Sequence, residues 1–389
     1  MAGKKTLIRI TTVPMSLNIL LRFQLRFMDE HYRVVAIADP EGGLEDVTPR
    51  EGVMTIGVPM TRAITPLKDL KALWLLYKLF KKEKPLIVHT HTPKAGVLGM
   101  LAGKLAGVPI RLHTVAGLPL LEATGNKRKL LDEVEKLTYR CAHMVYPNST
   151  ELKNIIVSNA LCRPDKLKVI GNGSTNGIDT TFFSPSQVSE DAKIALRREL
   201  GIAHSDFVYC FVGRMVSDKG INELVQAFAN IAVTDTRAKL ILVGPFEKEL
   251  DPLKPETEEK IQAMPAIKWV GYQADVRPYL AISDVFVFPS YREGFPNVVM
   301  QAGAMGLPSV VSNINGCNEI VQEEVNGFII PVKNSEALQA KMELLKNDGE
   351  LRTNMASSCR SIIENCYKRE YVWNEILKEY KMQEELQAS

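Results

Sequence analysis

The sequence predicts an α/β protein with two doubly wound parallel sheets, each covered by helices on both faces. Three observations predict this fold. The chain has 389 residues, enough for two domains. Short apolar runs alternate with segments of helical periodicity, which is typical of parallel sheets connected by helices. The alternation pauses at a loop rich in Gly, Asn and Pro, residues 171–186, and then begins again.

The first half of the chain predicts one complete sheet. Its apolar runs are rich in β-branched residues, whereas the segments between them repeat apolar positions every three to four residues. The strands are expected near 7–13, 34–38, 54–58, 86–91, 111–115, 144–147 and 168–170. The helices are expected near 17–28, 67–82, 95–106, 127–141 and 151–159.

The second half repeats the pattern. Strands are expected near 208–212, 239–243, 268–270, 285–288, 309–311 and 328–330, with helices from Asn222, Ile261, Val276, Asn297, Asn318 and Ser335 onward. Two final helices, 350–367 and 371–386, are expected to pack onto a domain or across the cleft between the domains. The predicted boundaries are 1–178, 179–368 and a last helix in 369–389. Ligands of such sheets bind at the carboxyl ends of the strands, so the cleft is the expected site.

Composition narrows the function classes. With 46% hydrophobic and 24% charged residues, the chain has ordinary soluble globular composition. Residues 1–175 carry 26 Lys+Arg against 15 Asp+Glu, and the remainder carries 22 against 30. No nucleic-acid-binding motif accompanies the basic half, so an anionic membrane surface or a phosphorylated ligand fits it better.

Other features address the cellular compartment. Six cysteines without CxxC spacing indicate reduced thiols. The N-terminal segment has a basic start, but Arg9, Pro14 and Arg22 interrupt any apolar stretch after it and no small-residue cleavage site follows. The chain also has no window of about 20 apolar residues. Neither a signal peptide nor a transmembrane helix is expected.

The stretch 284–321 predicts an anion site. The apolar run 285–288 reads as a buried strand that Pro289 ends, and a polar loop follows it. Pro296 and Asn297 suit the first turn of the next helix, whose unpaired N–H groups and positive dipole end favour a bound anion.

Two cations precede a second such helix. In the run FVYCFVGRMVSDKGINELVQAF, Arg214 follows Gly213 at the end of a strand, and Lys219 comes just before a helix. A guanidinium and an ammonium converging with backbone donors suit a diphosphate. The alternative is a pair of solvated surface cations.

Glu293 in the loop REGFPN and Gln301 in the following helix could accept hydrogen bonds from sugar hydroxyls, and Gly294 would permit close backbone approach. The alternative is that Glu293 is merely exposed and Gln301 faces solvent.

Histidines end two strands of the first half. His89 and His91 lie in the run HTHTPK, and His113 ends the next strand. A structural hydrogen-bonding role and a functional role are equally compatible with this pattern. No metal site is expected, because we place His89 and His91 on opposite faces and find no third ligand at a recognisable spacing.

Several motifs in order resemble those of the retaining glycosyltransferase family four. They are GRMVSDKG, PSYREGFPNVVMQAGAMGLP, GCNEIV and NGID. This family has the GT-B fold, with two Rossmann-like domains. The runs HTPKAGVLGMLAGKLAGVP and GNGSTNGID are similar to its capsular and exopolysaccharide branch, whose members usually extend undecaprenyl-diphosphate-linked glycans.

The resemblance implies roles for individual residues. Arg214, Lys219 and Glu293 would be catalytic. The donor would be bound in the second domain, and the last helix would cross back to the first, acceptor-binding domain, with Asn176 and Gly177 near the hinge. Donor-binding residues would be Gly213, Gly294, Phe295, Pro296, Asn297, Val298 and Gln301, and residues on the acceptor side would be His91, Lys94 and His113.

Three departures from the family pattern matter. The family's second glutamate, which binds the ribose, is Gln301 here, and its amide oxygen can still accept from a hydroxyl. The turn 114–117, TVAG, lacks the histidine that many relatives carry. The segment 13–16, VPMS, replaces a glycine-rich turn.

Together these features predict a retaining transfer of a hexose or N-acetylhexosamine from a nucleotide-diphosphate sugar, UDP-linked, to a lipid-diphosphate-linked saccharide. The chain has no DxD pair, so no metal or other cofactor is expected. The alternatives are a nucleotide-sugar epimerase of the same fold and a non-catalytic nucleotide-sugar-binding protein.

The expected location is cytoplasmic, on the inner face of the plasma membrane. The helix 67–84 carries apolar residues beside lysines, a pattern that can lie in an anionic headgroup layer. The alternative is an ordinary helix that packs its apolar face on the sheet. The apolar residues are Leu70, Leu73, Trp74, Tyr77 and Phe80, and the lysines are Lys71, Lys78, Lys81, Lys82 and Lys84.

Overall fold

The computed structural model describes residues 3–247, 249 and 251–388. The chain forms two compact units, Met1–Gly177 with Glu370–Ser389, and Ile178–Arg369. Each unit contains a six-stranded sheet in which adjacent strands run parallel. The expected pair of doubly wound parallel sheets is therefore confirmed.

The first unit has the strand order β3-β2-β1-β4-β5-β6. Its strands are β1 Thr6–Ile10, β2 Arg33–Ala38, β3 Met54–Gly57, β4 Ile87–Thr90, β5 Ile110–Val115 and β6 Met144–Pro147. Its helices before residue 178 are α1 Pro14–Leu20, α2 Gln24–Asp29, α3 Val47–Glu51, α4 Pro66–Glu83, α5 Pro93–Ala106, α6 Gly125–Cys141 and α7 Thr150–Ser158.

The second unit has the order β12-β11-β10-β7-β8-β9. Its strands are β7 Phe207–Val212, β8 Ala238–Val243, β9 Ile267–Trp269, β10 Val285–Phe288, β11 Ser309–Ser312 and β12 Gly327–Ile330. The helices are α8 Glu190–Glu199, α9 Ile221–Thr234, α10 Pro255–Ala263, α11 Arg277–Ala281, α12 Asn297–Ala304, α13 Cys317–Ile320, α14 Ser335–Asn347 and α15 Gly349–Tyr367, followed by α16 Arg369–Ala388.

Burial explains why the strands are nearly continuous apolar runs. All four residues of β10, VFVF, are buried, as are five of the six in β7. Helices cover both faces of each sheet, so neither face of a central strand reaches water. The carboxyl ends of the strands then lie along one edge of each sheet, and the functional side chains must project from the loops there.

The final helix, α16, packs within the first unit. Val372, Ile376 and Tyr380 join the core on one face of the first sheet. Tyr380 Oη lies 2.6 Å from His89 Nδ1, and Trp373 Nε1 donates to Asn176 Oδ1 over 2.6 Å. The last residues of the chain therefore complete the first unit, as the resemblance implied.

The structure corrects several predicted elements. The strand expected at 168–170 is wrong, because only Leu167 forms a single bridge, to Val145. The single helix expected at 17–28 is broken at Phe23, whose φ of 64° lies in the left-handed region and separates α1 from α2. Helix α10 begins at Pro255 rather than near Ile261, since proline suits a first turn.

Two short helices, α3 and α8, were missed by the sequence analysis. Helix α8 is rich in charged residues and none of its side chains is buried, so it does not stand out in the sequence as a core-packing helix. In the part of the chain that the structure describes, no helix combines the length and the apolar character needed to span a bilayer.

Candidate functional site

The loops after β7 and β10 meet at the carboxyl edge of the second sheet. Lys219 lies in a short 3-10 turn that ends at Gly220, immediately before α9. A Cβ on Gly220 would lie 2.1 Å from Pro289 O, and its φ is 70°. Only glycine permits this approach, which brings Lys219 next to the loop that follows β10.

Lys219 and Glu293 form an ion pair. Lys219 Nζ lies 2.5 Å from Glu293 Oε1, and the side chains are only 13% and 18% exposed. Ser290 Oγ donates to the same oxygen over 3.1 Å. Two residues that the sequence placed in separate motifs therefore share one contact, and partial burial strengthens their attraction.

Arg214 pairs with a carboxylate that the sequence analysis missed. Its Nη1 donates to Glu247 Oε2 over 2.7 Å. Glu247 follows the end of β8, as Arg214 follows the end of β7, and these strands are neighbours in the sheet. That position at a strand end is the signal that could have identified Glu247. The two predicted diphosphate ligands are thus each held by a carboxylate.

The loop that precedes α12 is held by the loop that follows β11. Asn315 Nδ2 donates to the carbonyl oxygens of Glu293 and Gly294, the latter over 3.1 Å. A Cβ on Gly316 would lie 2.8 Å from Gly294 O and 2.9 Å from Phe295 Cα. Asn315 was not singled out from the sequence, although it lies directly before the GCNEIV motif, of which Gly316 is the first residue.

The remaining donor-side residues lie where α12 begins. Pro296 is the N-cap and Asn297 the first helical residue, and no side chain caps this end. Phe295 is 9% exposed, and its ring centroid lies 5.4 Å from that of Tyr367. Val298 and Gln301 are partly exposed on α12. A helix start without a side-chain cap would suit an anion, which stays a prediction for this site.

The three residues expected on the acceptor side have different surroundings. Lys94 Nζ pairs with Asp69 Oδ2 at 2.5 Å. His113 Nδ1 lies 2.7 Å from Thr90 Oγ1, and burial lowers the pKa of His113 to about 4. His91 is 2% exposed, and its Nε2 accepts a hydrogen bond from Arg9 Nε over 2.9 Å. Each of the three side chains thus has a different partner in the structure.

The two histidines of the HTH run share a face of the sheet. The ring centroids of His89 and His91 lie 4.2 Å apart, so the expectation of opposite faces is wrong. Residues two apart in an extended chain point the same way. Burial lowers the pKa of both imidazoles well below the usual range, so both are neutral at pH 7. Among the described side chains, no group of three or more His, Cys, Asp or Glu could hold a metal ion.

Comparison with known proteins shows two matching family models. The model for glycosyl transferases group 1 matches residues 192–361, and the model for a glycosyl transferase 4-like domain matches residues 24–173. These two matches fall in the second and first units respectively.

Curated relatives match most of the chain. A capsular polysaccharide biosynthesis glycosyltransferase, CapM, from Staphylococcus aureus is 32% identical over 361 residues, which cover 93% of each chain. The UDP-Gal:alpha-D-GlcNAc-diphosphoundecaprenol alpha-1,3-galactosyltransferase of Escherichia coli is 32% identical over 340 residues, 87% of this chain and 86% of its own.

Solved structures share the fold. Anabaena HepE in complex with UDP aligns with a TM-score of 0.82 at 19% identity, covering 97% of this chain and 100% of the other. At this identity the likeness shows the fold alone.

The packing at Gly316 generates a prediction. Gly316→Ala should destabilise the second unit by about 1–3 kcal/mol more than Gly306→Ala, because its methyl group would press on the Glu293 loop. Both glycines have a positive φ, of 77° and 82°, but a Cβ on Gly306 would meet nothing within 4 Å. Thermal unfolding of both variants measures the difference in stability. Equal losses of stability would show that the Glu293 loop shifts to accommodate the methyl group at no cost.

Proposed function

This chain belongs to the glycosyl transferases of group 1, and we propose that it moves a hexose or N-acetylhexosamine from a UDP-linked donor to an undecaprenyl-diphosphate-linked saccharide. The product would be used in capsule, exopolysaccharide or O-antigen assembly. Two relatives that match most of the chain support this, one named for capsule biosynthesis and one for a diphosphoundecaprenol-linked acceptor. The observation that carries the proposal is the placement of Arg214 and Lys219 at the edge of the second sheet.

Arg214 and Lys219 would bind the donor diphosphate. A guanidinium can donate two parallel hydrogen bonds to phosphoryl oxygens, and an ammonium adds a compact charge. Each cation is held by a carboxylate, Glu247 or Glu293. We infer that the diphosphate replaces these carboxylates when the donor binds, and that Glu293 then accepts hydrogen bonds from the transferred sugar.

The loop before α12 would hold the rest of the donor. The backbone from Gly294 to Val298, whose N–H groups other than at Pro296 can donate, leads into a helix start where partial positive charge favours phosphate. Gln301, one turn further along α12, would accept a hydrogen bond from the ribose through its amide oxygen. Gly213, which directly follows β7 and precedes Arg214, would allow the diphosphate to approach the backbone.

The proposed chemistry is retaining and independent of metal. Negative charge accumulates on the diphosphate as the bond to the sugar breaks, and Arg214 and Lys219 would stabilise that charge. Once the donor binds, Glu293 would accept hydrogen bonds from hydroxyls of the transferred sugar and would not act as a nucleophile. The acceptor hydroxyl would therefore attack from the face that the diphosphate leaves, with the leaving phosphate taking its proton.

The acceptor would reach the first unit from a membrane surface. Helix α4 buries Ala72, Leu76 and Phe80, while Leu67, Leu70 and Trp74 are 86%, 64% and 52% exposed. Packing against the core of the first unit thus explains the apolar residues on only one face of α4. Its exposed apolar face carries lysines, of which Lys78 lies with Nζ 3.6 Å from the centroid of Trp74.

We propose that this face of α4 lies in an anionic headgroup layer, as amphipathic helices with basic margins do. The enzyme would then act in the cytoplasm, at the inner face of the plasma membrane, where it would meet both a nucleotide-sugar donor and a lipid-linked acceptor.

Product analysis tests the proposed reaction. Purified protein is supplied with several nucleotide sugars, with and without an undecaprenyl-diphosphate-linked saccharide. The proposal expects a sugar to be added only when this acceptor is present, with UDP released. Epimerisation of the donor without acceptor would support the epimerase alternative, and binding without any conversion would support the binding-protein alternative.

The diphosphate assignment makes a second prediction. Arg214→Ala or Lys219→Ala should lower turnover by roughly 100- to 1000-fold, the usual loss for one preorganised donor at a developing anion. Arg237→Ala is the matched control, because that exposed arginine pairs with Asp235. Near-normal turnover of both site variants would remove the assignment.

The membrane proposal makes a third prediction. Reversing Lys78, Lys81 and Lys82 to Glu should weaken cosedimentation with vesicles that contain anionic lipid by roughly 100-fold, since each lysine near the surface contributes about 1 kcal/mol. The control reverses Lys193, Lys254 and Lys260 of the second unit, with the same change in net charge. Equal binding by both triple variants, or binding that is insensitive to salt, would contradict the proposal.

A further inference from the structure

A pocket opens at the amino edge of the first sheet, where helices α4 and α5 end. Its volume is about 430 Å³. Its walls come from the ends of these two helices and from the segments that lead into β1, β4 and β5. None of the described residues that we assign to the donor or the acceptor lines this pocket. We call it the α4–α5 pocket.

The α4–α5 pocket is basic. Lys5, Lys81 and Lys84 line it, and no described Asp or Glu does. Lys5 Nζ pairs with Glu384 Oε2 at 2.6 Å. Neither Lys81 nor Lys84 forms an ion pair within the described chain, and the contact recorded for Lys81 Nζ is with the ring of Tyr77, 6.0 Å from its centroid. Two positive charges at the pocket are therefore available to a ligand.

Apolar side chains form the inner wall of the pocket. Phe80 and Val108 are 2% and 3% exposed, and Leu86 also lines the pocket. Lys81 and Lys84 are exposed, so they lie at the rim. An apolar wall beside a basic rim suits a ligand in which an anionic group is joined to hydrocarbon.

The pocket lies at the end of the exposed apolar face of α4. Leu70 and Trp74, on that face, are one helical turn apart, and Lys81 follows Trp74 by seven residues, or about two turns. Lys81 therefore lies on the same face of the helix. On the α5 side, Leu105 is 60% exposed and directly precedes Ala106, which lines the pocket. Exposed apolar side chains are thus present on both helices that form the pocket.

We propose that the α4–α5 pocket binds the headgroup of one anionic glycerophospholipid. The phosphodiester would accept hydrogen bonds from Lys81 and Lys84, and such bonds to an ionised acceptor are strong. The glycerol and the first carbons of the acyl chains would contact the apolar wall. A free phosphate would leave this wall unused, and a zwitterionic headgroup would bring its own ammonium close to the lysines.

This inference rests on the proposed function for the membrane that supplies the lipid, and it adds a defined site for one lipid molecule. Lysines that only face an anionic headgroup layer attract it without a fixed stoichiometry. A pocket instead gives saturable binding of one lipid and a preference for its headgroup. A lipid held at the end of α4 would also fix how the first unit is oriented on the bilayer.

A short-chain lipid tests the pocket in the absence of a bilayer. Dihexanoylphosphatidylglycerol, kept monomeric, is titrated calorimetrically into the full chain. The parent should bind one equivalent, and Lys81→Gln or Lys84→Gln should weaken binding by about 10-fold, the loss expected for one charge-assisted hydrogen bond. Lys104→Gln is the matched control, because this exposed lysine lies in the last turn of α5 but does not line the pocket. It should bind as the parent does.

Two further ligands test which part of the lipid is recognised. Dihexanoylphosphatidylcholine has the same chains without net charge and should bind at least 10-fold more weakly than the anionic lipid. Equal binding of the two lipids would overturn the role of the lysines. Glycerol phosphate that binds as tightly as the anionic lipid would overturn the assignment to a lipid and favour a free phosphate.

Failure of the pocket differs from failure of the proposed function. No binding of the anionic lipid by the parent, or equal affinity in the parent and both pocket variants, would overturn the pocket. An equal loss in Lys104→Gln would also overturn it, because the attraction would then be a general effect of charge. Cosedimentation of the parent with anionic vesicles tests the membrane proposal separately, and the proposed reaction is tested by its products.

Discussion

The ion pair between Lys219 and Glu293 is the contact on which the second unit's site depends. It exists because Gly220 lets the turn before α9 touch Pro289, so the ends of β7 and β10 meet. The ammonium and the carboxylate of this pair are both partly buried, and a charged group in such a position needs a partner of opposite charge. Under the proposed function, a donor with a negative diphosphate and a hydroxylated sugar would offer each group a replacement. The same contact would then stabilise the free protein and prepare it for this exchange.

The first unit is organised differently. Its residues carry 28 Lys+Arg against 20 Asp+Glu, and its buried Arg9 has neutral partners instead of a carboxylate. The second unit supplies a carboxylate for each site cation, whereas the first leaves a buried cation uncompensated. Under the proposed function, the donor diphosphate would displace the carboxylates of the second unit. The lysines beside the exposed apolar face of α4 extend the same positive character to the surface.

Much of the fold could be predicted from the sequence. Buried parallel strands are apolar on both faces, so their continuous apolar runs differ from the helical periodicity of the segments between them. Arg214, Lys219 and Glu293 were predicted because each lies in a motif at a strand end or helix start. Glu247 and Asn315 were missed because their importance lies in contacts with residues 33 and 22 positions away. The break at Phe23 could not be predicted either, since a left-handed phenylalanine has no local sequence signal.

The most direct test of the account measures Glu293→Gln in two ways, by its affinity for UDP and by its turnover of a UDP-sugar. In the account above, the diphosphate replaces Glu293 as the partner of Lys219. Glu293→Gln removes the competing carboxylate charge, so UDP should bind to the variant as tightly as before or several-fold more tightly. Turnover should fall by roughly 100-fold or more, because the sugar loses its charged acceptor. The predicted result is therefore a fall in turnover without any loss of UDP affinity. A parallel fall in UDP affinity and turnover would contradict the exchange and place Glu293 at the diphosphate instead.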